Sequence, residues 1–435
     1  MILRPRYADV KIILYYLGKV IIGIGILMSV PLIVSFIFKE WDATLDYLIG
    51  IAASLSFGLL LIRLFYTKEE LGWMHGMVVV ALSWIVAAFL SAIPLYLSGH
   101  FLSFLDACFD AMSGYATTGL TIIKDLDHLS NAHNMWRHFI MYIGGQGIIV
   151  VALTFLIKAG GTFSMYVGEA RDEKILPNVI NTARFIWLVS LVYLAIGTIA
   201  LMIAGIYEGM PVLRAFLHGM WIFMAAWDTG GFTPQSQNIL YYHSMPFEII
   251  TISIMVLGAL NFKLHYAVWT GNRKEIFKNI ESVTIFISIL TMFSLCAVGL
   301  ARLGIYPEAV SLFRKGCYQI ISGHVGTGYS TIYARQFVLE WGGLAMIATT
   351  IAMAFGGCAC STAGGIKALR IGIIFKALRQ DIKKIMVPSD SIAIQKFHHI
   401  KDMVLQDQHV RSAALIALCY LLLYLVGALI GMFCG

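Results

Sequence analysis

The chain has 435 residues, of which 59% are hydrophobic and only 13% charged. That composition is too apolar for an ordinary soluble domain and indicates an integral membrane protein. The formal net charge of +7 does not indicate a nucleic-acid partner, because the lysines and arginines cluster in particular loops, as membrane topology requires. The seven cysteines lack paired CxxC spacing, so neither a disulfide framework nor a zinc site is expected.

The chain opens with two apolar runs, at about 12–38 and 47–65, separated by a short acidic link. Each run is long enough to cross roughly 30 Å of hydrocarbon as a helix. We therefore predict an N-terminal transmembrane hairpin over residues 1–70.

Three short segments then resemble one another, and each combines small or hydroxylated residues with a glycine and a bulky residue. They are SGYATTGLT at Ser113–Thr121, AAWDTGGFT at Ala225–Thr233 and SGHVGTGYS at Ser322–Ser330. Each follows an amphipathic segment too short to span a membrane, at about 101–112, 213–226 and 309–321. We expect a long apolar helix on each side of each loop. These helices are at about 77–97 and 135–157 for the first loop, at 186–206 and 247–268 for the second, and at 283–303 and from 344 onwards for the third.

A second periodicity supports an internal repeat. The intervals from loop glycine to helix glycine are 25, 27 and 28 residues, for Gly119 to Gly144, Gly231 to Gly258, and Gly328 to Gly356. A repeat of this length defines the architecture. We predict an all-α polytopic fold of helix, pore loop and helix units around a central pore, with repeats at 71–160, 161–272 and 273–378.

The rest of the chain is a basic cytoplasmic connector at 379–411 and one more apolar helix at 412–435. By the repeat logic this helix opens a fourth unit, whose half-helix, loop and second helix we expect to be missing. Placing the helices in order puts the basic connectors on the side of the basic N-terminus, which is therefore inside. The three glycine loops then face outward.

Each loop has the chemistry of a cation site. A half-helix that returns as extended loop leaves carbonyls unpaired, which membranes tolerate only where they face water or an ion. Glycine permits the positive φ values that turn carbonyls inward, and such oxygens replace the hydration shell of a dehydrated cation. The competing interpretation is that the glycines only allow close helix packing; three spaced copies argue against it.

The last helix of the third repeat is interrupted by GGCACSTAGGIK at Gly356–Lys367. Each glycine costs a helix roughly 1 kcal/mol relative to alanine, and irregular backbone at membrane depth should line a cavity. A mobile gate is the sharper hypothesis, and a static kink is the alternative.

These residues resemble a known family. The loops SGYATTGLT, TGGFT and TGYST, with GGQG at Gly144–Gly147, LGALNFKLHY at Leu257–Tyr266 and GGCACSTAGGIK, are similar to the Trk/Ktr/HKT superfamily of potassium transporters, most closely the TrkH-type membrane subunit. The resemblance covers nearly the whole chain. It implies potassium uptake, with K⁺ as the transported ion, through a filter and an intramembrane gate, and neither enzymatic activity nor an organic cofactor.

The resemblance also implies site residues. The filter would comprise Thr117, Thr118, Gly119, Thr229, Gly230, Gly231, Gly326, Thr327 and Gly328. The gate loop would comprise Cys358, Ala359, Cys360, Ser361, Thr362, Ala363, Gly364 and Gly365.

The implied partners are a second copy of the chain in a homodimer, membrane lipid, and a cytosolic ring of nucleotide-binding, Rossmann-type regulatory subunits. The implied location is the cytoplasmic membrane of a bacterium or archaeon. The fourth repeat would be completed in one of two ways: either this sequence is a fragment of a longer chain, or a further chain supplies the rest of the repeat.

Three departures from the family pattern stand out. Cys360 stands where the family commonly has glycine, which would stiffen the gate. Lys263 lies in the expected inner helix of the second repeat, where a charge could cost roughly 3 kcal/mol unless it reaches water. The fourth loop is expected to be missing from this sequence, so the alternatives to potassium uptake are a non-conducting scaffold or one part of a split transporter. An intramembrane enzyme using His133, His138, Asp106 or Asp110 is disfavoured, because no nucleophile accompanies them.

Overall fold

The computed structural model describes residues 6–148, 150, 165–166, 175, 178–386 and 395–434. These are overwhelmingly helical, which confirms the all-α fold class. Six of the described helical segments are long and apolar enough to cross a membrane. They are Tyr7–Phe38, Trp41–Leu64, Trp73–Leu97, Val179–Tyr207, Ile280–Leu303 and Asp407–Phe433.

The chain divides into two compact units. The first comprises Met1–Met255 with Thr327–Tyr329, and the second comprises Val256–Gly326 with Ser330–Gly435. The first unit therefore contains the aligned loop glycines Gly119, Gly231 and Gly328, whereas the second contains the interrupted helix.

The helices of the first unit follow the predicted order. They are α1 Tyr7–Leu27, α2 Ser29–Phe38, α3 Trp41–Leu64, α4 Trp73–Leu97, α5 Phe104–Tyr115, α6 Asn131–Gln146, α7 Val179–Tyr207 and α8 Val212–Trp227, with a 3₁₀ turn at Asn238–Tyr242 and then α9 Met245–Gly258, whose last residues belong to the second unit.

The first apolar run is divided into α1 and α2 at Met28. Pro31 lacks a backbone N–H, and its ring clashes with the carbonyl four residues earlier, which is that of Leu27. The hairpin of α1 and α3 is closed by Gly18 and Gly58, where an added Cβ would lie 2.9 and 3.0 Å from the carbonyl oxygen of the other glycine. Small residues at this crossing let the two backbones approach closely.

The acidic link of the opening hairpin is joined to the first repeat. The Glu40 carboxylate accepts hydrogen bonds from the backbone N–H groups of Asn131 and Ala132, at 2.8 and 2.9 Å. These donors are the unsatisfied first N–H groups of α6, which favour a negative charge. The hairpin is thereby joined to the helix that follows the first loop.

The half-helices α5 and α8 agree with prediction to within a turn. Helix α5 begins at Phe104 rather than near Phe101, because Ser103 and Asp106 form a capping box. The Asp106 N–H donates to Ser103 Oγ at 3.1 Å, and the Ser103 N–H donates to the Asp106 carboxylate at 3.0 Å.

The second unit contains shorter pieces than predicted. They are α10 Phe262–Trp269, α11 Glu275–Lys278, α12 Ile280–Leu303, α13 Ala309–Leu312, a π turn at Phe313–Cys317, α14 Tyr318–His324, α15 Ala334–Glu340, α16 Gly342–Ala354, α17 Ala368–Met386, strands β1 Lys396–His399 and β2 Lys401–Val404, and α18 Asp407–Cys434.

Three continuous helices expected from the sequence are interrupted. The third half-helix, expected over 309–321, contains the wide π turn before α14, and Lys315 in this turn donates to the Thr331 carbonyl at 2.6 Å. The inner helix expected over 247–268 stops at Gly258 and resumes at Phe262, because Asn261 caps the new start. The helix expected over 135–157 ends at Gln146; residues 149 and 151–164 lie outside the described part.

The basic connector contains an unforeseen element, the antiparallel hairpin of β1 and β2. Ile400 makes the turn with φ of 62°. Phe397 is buried in an apolar cluster with Ile280 of α12 and Ile373 of α17. The hairpin is thus packed against the helices of its own unit. Helix α18 begins at Asp407, whereas the sequence predicted a start at residue 412.

Candidate cation-selectivity loops and interrupted helix

The three loops share one backbone signature. Each has two left-handed residues, two positions apart, at Thr117 and Gly119, Thr229 and Gly231, and Gly326 and Gly328, with φ between 49° and 83°. A left-handed β-branched residue is a genuine outlier, and such strain persists only where the surroundings enforce it. The repeated conformation supports the alignment made from sequence.

Neighbouring loops contact each other through backbone. A Cβ added to Gly119 would overlap the carbonyl oxygen of Gly230, and one added to Gly231 would overlap that of Thr327. The first loop therefore lies against the second, and the second against the third. A Cβ on Gly328 would meet nothing within 4 Å among the described residues.

An aromatic residue four positions before each loop glycine is hydrogen-bonded to a serine of the preceding long helix. The O···O distance from Tyr115 to Ser91 is 2.9 Å, Trp227 Nε1 donates to Ser190 Oγ at 3.2 Å, and His324 Nε2 lies 2.7 Å from Ser288 Oγ. Sequence reasoning missed these three pairs, because their residue types differ. Only alignment on the loop glycines brings the aromatic positions into register.

The second loop is backed by a buried polar chain. Gln146 Nε2 donates to the Asp228 carboxylate at 2.8 Å, and Ser190 Oγ donates to Gln146 Oε1 at 2.9 Å. A Cβ on Gly145 would overlap Asp228, and one on Gly144 would overlap the Tyr115 carbonyl. The glycine pair found by periodicity therefore lets the end of α6 approach the first two loops.

A buried ion pair braces the first loop. Arg137 Nε donates to the Asp110 carboxylate at 2.9 Å, and both side chains are fully buried. Thr121, at the end of the loop, donates to the same carboxylate at 2.6 Å, and the Arg137 guanidinium lies 4.1 Å from the Phe232 ring centroid. Arg137 was not foreseen, although a charge within an apolar segment is itself a signal.

Arg137 also lines a cavity of about 360 Å³ beside the loop glycines. Gly119 and Gly231 lie on its wall, together with the carboxylate-bearing Asp125 and Asp127. The cavity thus places carboxylate groups and open volume next to the first two loops.

The residues considered for an enzyme have structural partners instead. Asp106 caps α5, and Asp110 pairs with Arg137. His133 Nε2 lies 3.1 Å from the Pro94 carbonyl, and His138 Nδ1 lies 2.7 Å from the Asn134 carbonyl. The structure gives these side chains cap, bracing and packing contacts.

The interruption of the third repeat's last helix is confirmed, with α16 ending at Ala354 and α17 beginning at Ala368. The segment between these two helices begins and ends at the same place. The Gly356 N–H donates to the Ile366 carbonyl at 2.9 Å, and the Ile366 N–H donates to the Ala354 carbonyl at 3.1 Å. A Cβ on Gly356 would overlap the Gly364 carbonyl. The segment is a closed loop rather than a simple kink.

The loop is held by the other break of its unit. The Cys358 N–H donates to the Ala259 carbonyl at 2.9 Å, and Thr362 Oγ1 donates to the Gly258 carbonyl at 2.9 Å. These carbonyls lie where α9 stops, so they have no helical partner of their own. Two irregular segments therefore satisfy each other's backbone groups.

Glu281 makes a charged contact to the loop. Its fully buried carboxylate accepts from the Ala359 N–H at 2.6 Å and from Asn261 Nδ2 at 3.2 Å. His399 of β1 lies 3.7 Å from the same carboxylate. One side chain thus contacts the loop, the break before α10 and the hairpin.

The two unusual residues noted in the sequence now have positions. Cys360 is buried and left-handed, with φ of 49°, a conformation that favours glycine. Lys263 is half-buried in the first turn of α10, so the expectation of a charge within a continuous inner helix was wrong.

Comparison with known proteins defines the class. The TrkH family, described as cation transport protein, matches residues 43–434. An uncharacterised cation transporter of Methanocaldococcus jannaschii is 32% identical over 99% of this chain and 84% of its own length. The Trk system potassium uptake protein TrkH of Halomonas elongata is 27% identical over 89% of this chain and 79% of its own length.

The fold is similar to a solved structure, the potassium transporter TrkH from Vibrio parahaemolyticus, with a TM-score of 0.76 and 24% identity over 93% of this chain and 81% of that one. The class is therefore a multi-pass membrane protein of cation transport, and not an enzyme. The chain belongs to the TrkH family of cation transport proteins.

Proposed function

We propose that the chain takes up potassium ions across the cytoplasmic membrane of a bacterium or archaeon. Relatives named as Trk potassium uptake proteins support this choice of ion. The observation that carries the proposal is the backbone contact between loops, at Gly119 with Gly230 and at Gly231 with Thr327. Contacts of this kind hold carbonyl groups of separate repeats around one point, as a dehydrated cation requires.

The filter would be formed by the carbonyls and hydroxyls of the three loops. A dehydrated K⁺ exchanges water oxygens for these protein oxygens, and the C-terminal ends of α5, α8 and α14 add favourable negative dipole ends. The residues assigned are Thr117, Thr118, Gly119, Thr229, Gly230, Gly231, Gly326, Thr327 and Gly328.

The gate would be the loop Cys358–Gly365. Its side chains are small, and it donates a few hydrogen bonds that hold it to neighbours of its own unit, chiefly to the Glu281 carboxylate and the carbonyls of Gly258 and Ala259. A loop restrained by individual bonds can be released by breaking them. Release would open the path and restoration would close it.

The remaining assignments follow the charge distribution and the family. The N-terminus and basic connectors would lie inside, so that the loops face outward. The basic connectors would dock a cytosolic nucleotide-binding ring, and the chain would form a homodimer. The open side of Gly328 favours a further segment beside the third loop, from this polypeptide or another.

Rubidium uptake tests the function. The protein is purified from its native membrane, reconstituted into liposomes loaded with potassium in a medium of low potassium, and supplied with trace external rubidium or sodium. We expect rubidium uptake well above that of empty liposomes and of sodium. Uptake no greater than in empty liposomes would overturn conduction by the purified protein and support the scaffold.

The gate is tested in the same assay by deleting Cys360–Gly364. We expect faster rubidium uptake, because the deletion removes the obstruction. Substitution of Gly343, which has open space around it outside the gate loop, by alanine is the control and should leave uptake unchanged. Unchanged uptake in the deletion variant would favour a static loop that does not gate.

A further inference from the structure

The second unit has an open groove of about 740 Å³ that the transport proposal does not use. Its walls come from α12, α17 and the hairpin. The apolar part is lined by Val283, Ile287, Met292, Phe355, Ile371 and Phe375. Ile287 and Phe375 are more than half exposed, so the described residues leave this face uncovered.

The hydroxyl groups in the wall do not make it polar. Thr284 donates to the Ile280 carbonyl at 2.7 Å and Thr291 to the Ile287 carbonyl at 2.8 Å, within their own helix. A hydroxyl bonded in this way leaves little unsatisfied polarity towards an occupant. The groove therefore offers an apolar surface along about three turns of α12.

One end of the groove is basic. Lys278, Lys376, Arg379 and Lys396 line it, against a single carboxylate, that of Asp402. Asp402 accepts from His398 Nδ1 at 2.7 Å, which engages its charge within the hairpin. This end is complementary to an anion.

The basic end and the apolar part of the groove are separated along the length of α12. The cations cluster where α12 begins, and the apolar lining runs from Ile280 to Met292, about 18 Å at the rise of a helix. One leaflet of a bilayer is roughly 15 Å deep. A soluble anion would use only the basic end, whereas a phospholipid fits both parts.

We propose that this groove binds an anionic phospholipid, with its phosphate at Lys278 and Arg379 and one acyl chain along α12. Phe355, the residue before the loop Gly356–Lys367, lies in the apolar wall. An occupant therefore contacts the end of α16, and lipid composition would alter the equilibrium of the adjoining loop. The site does not depend on which ion the protein transports.

Binding is measured on the purified full chain in detergent by native mass spectrometry, with phosphatidylglycerol and phosphatidylcholine of identical acyl chains. We expect phosphatidylglycerol to bind about tenfold more tightly, because each basic side chain near the headgroup contributes measurably to anionic-lipid attraction. The double variant Lys278→Gln with Arg379→Gln should lose this preference. Equal binding of the two lipids to the unmodified protein would overturn the proposal.

Two matched controls sharpen the test. Arg273→Gln with Lys383→Gln removes the same charge outside the groove and should keep the preference; an equal loss there would indicate general surface charge and contradict the site. Thr291→Trp should fill the groove and weaken binding, whereas Ser294→Trp, one turn further and outside it, should not. If glycerol phosphate displaces the lipid at equal concentration, the apolar wall contributes nothing and the proposal fails.

Discussion

The three glycine loops and the loop of the interrupted helix both pack backbone on backbone, but they do so with different partners. Gly119 and Gly231 touch the carbonyls of the next glycine loop, which is distant in the sequence. Gly356 instead touches the Gly364 carbonyl within its own loop, and individual hydrogen bonds tie that loop to its unit, one of them to the Glu281 side chain. Backbone contact between separate loops suits a fixed site, whereas a loop that closes on itself and is tied by separable bonds suits an element that moves.

The largest effect is expected from breaking the ion pair that braces the first loop. Arg137→Leu leaves the Asp110 carboxylate buried without its cation, which destabilises a protein by roughly 3–5 kcal/mol. The melting temperature in detergent should fall markedly, and combining it with Asp110→Leu should recover part of the loss. Lys384→Leu, in an exposed pair, is the control. Equal melting temperatures for the Arg137 and Lys384 variants would contradict the view that this ion pair braces the first loop.

The next effect concerns Glu281. Glu281→Gln removes the charge that accepts the Ala359 N–H, a bond to a charged group worth roughly 1.5–3 kcal/mol. The loop should be released more often, and rubidium uptake should rise about tenfold or more without loss of selectivity. Glu308→Gln, in an exposed position of the same unit, should change nothing. An unaltered uptake rate in Glu281→Gln would show that this carboxylate does not control the loop.

A smaller effect is expected at the serines that hold the aromatic residues. Ser91→Ala loses one neutral hydrogen bond to Tyr115, worth about 0.5–1.5 kcal/mol. It should lower the melting temperature slightly and leave uptake nearly intact. Ser294→Ala, whose hydroxyl bonds only within its helix, is the matched control. A Ser91→Ala protein that melts like the control would show that these pairs do not stabilise the filter.

The smallest effect concerns pH and the hairpin. Hydrogen bonds to Asp402 and then Glu275 raise the pKa of His398 above its usual value near 6.5. Because the folded pKa is raised, this stabilisation is present below about pH 6.5 and is lost as pH rises through the raised pKa. Amide hydrogen exchange in β1 should therefore become faster over that pH interval. The change should correspond to a loss of roughly 1 kcal/mol or less in the free energy of opening the hairpin. In the His398→Gln variant, the protection of the β1 amides should not change with pH once the intrinsic pH dependence of exchange is subtracted. A pH-dependent step that persists in this variant would show that another group titrates.

The sequence predicted the parts of this architecture that depend on repetition. Apolar length located the spans, and alignment of Gly119, Gly231 and Gly328 located three loops whose backbone signatures agree. It could not predict the ends of α6 and α9 near Gln146 and Gly258, because both depend on tertiary contacts rather than on local apolar pattern.

Side-chain pairings were also beyond the sequence. Asp110 and Arg137 are 27 residues apart and meet only once α5 and α6 have packed. Glu281 and Ala359 are 78 residues apart, and nothing local connects them. The hairpin of β1 and β2 was read as a basic connector, because charge obscured its short apolar pattern.

The most direct test of the filter is the ratio of potassium to sodium uptake in loop-glycine variants, measured in reconstituted liposomes. Gly119→Ser should reduce the ratio most, because its Cβ overlaps the Gly230 carbonyl in addition to the strain of φ at 75°. Gly328→Ser should reduce the ratio less, because the positive φ strains the backbone but the added Cβ meets open space. Gly99→Ser has the same strain and open space but lies outside the three loops, so it should leave the ratio unchanged. An unaltered ratio in both Gly119→Ser and Gly328→Ser would contradict selection by these loops.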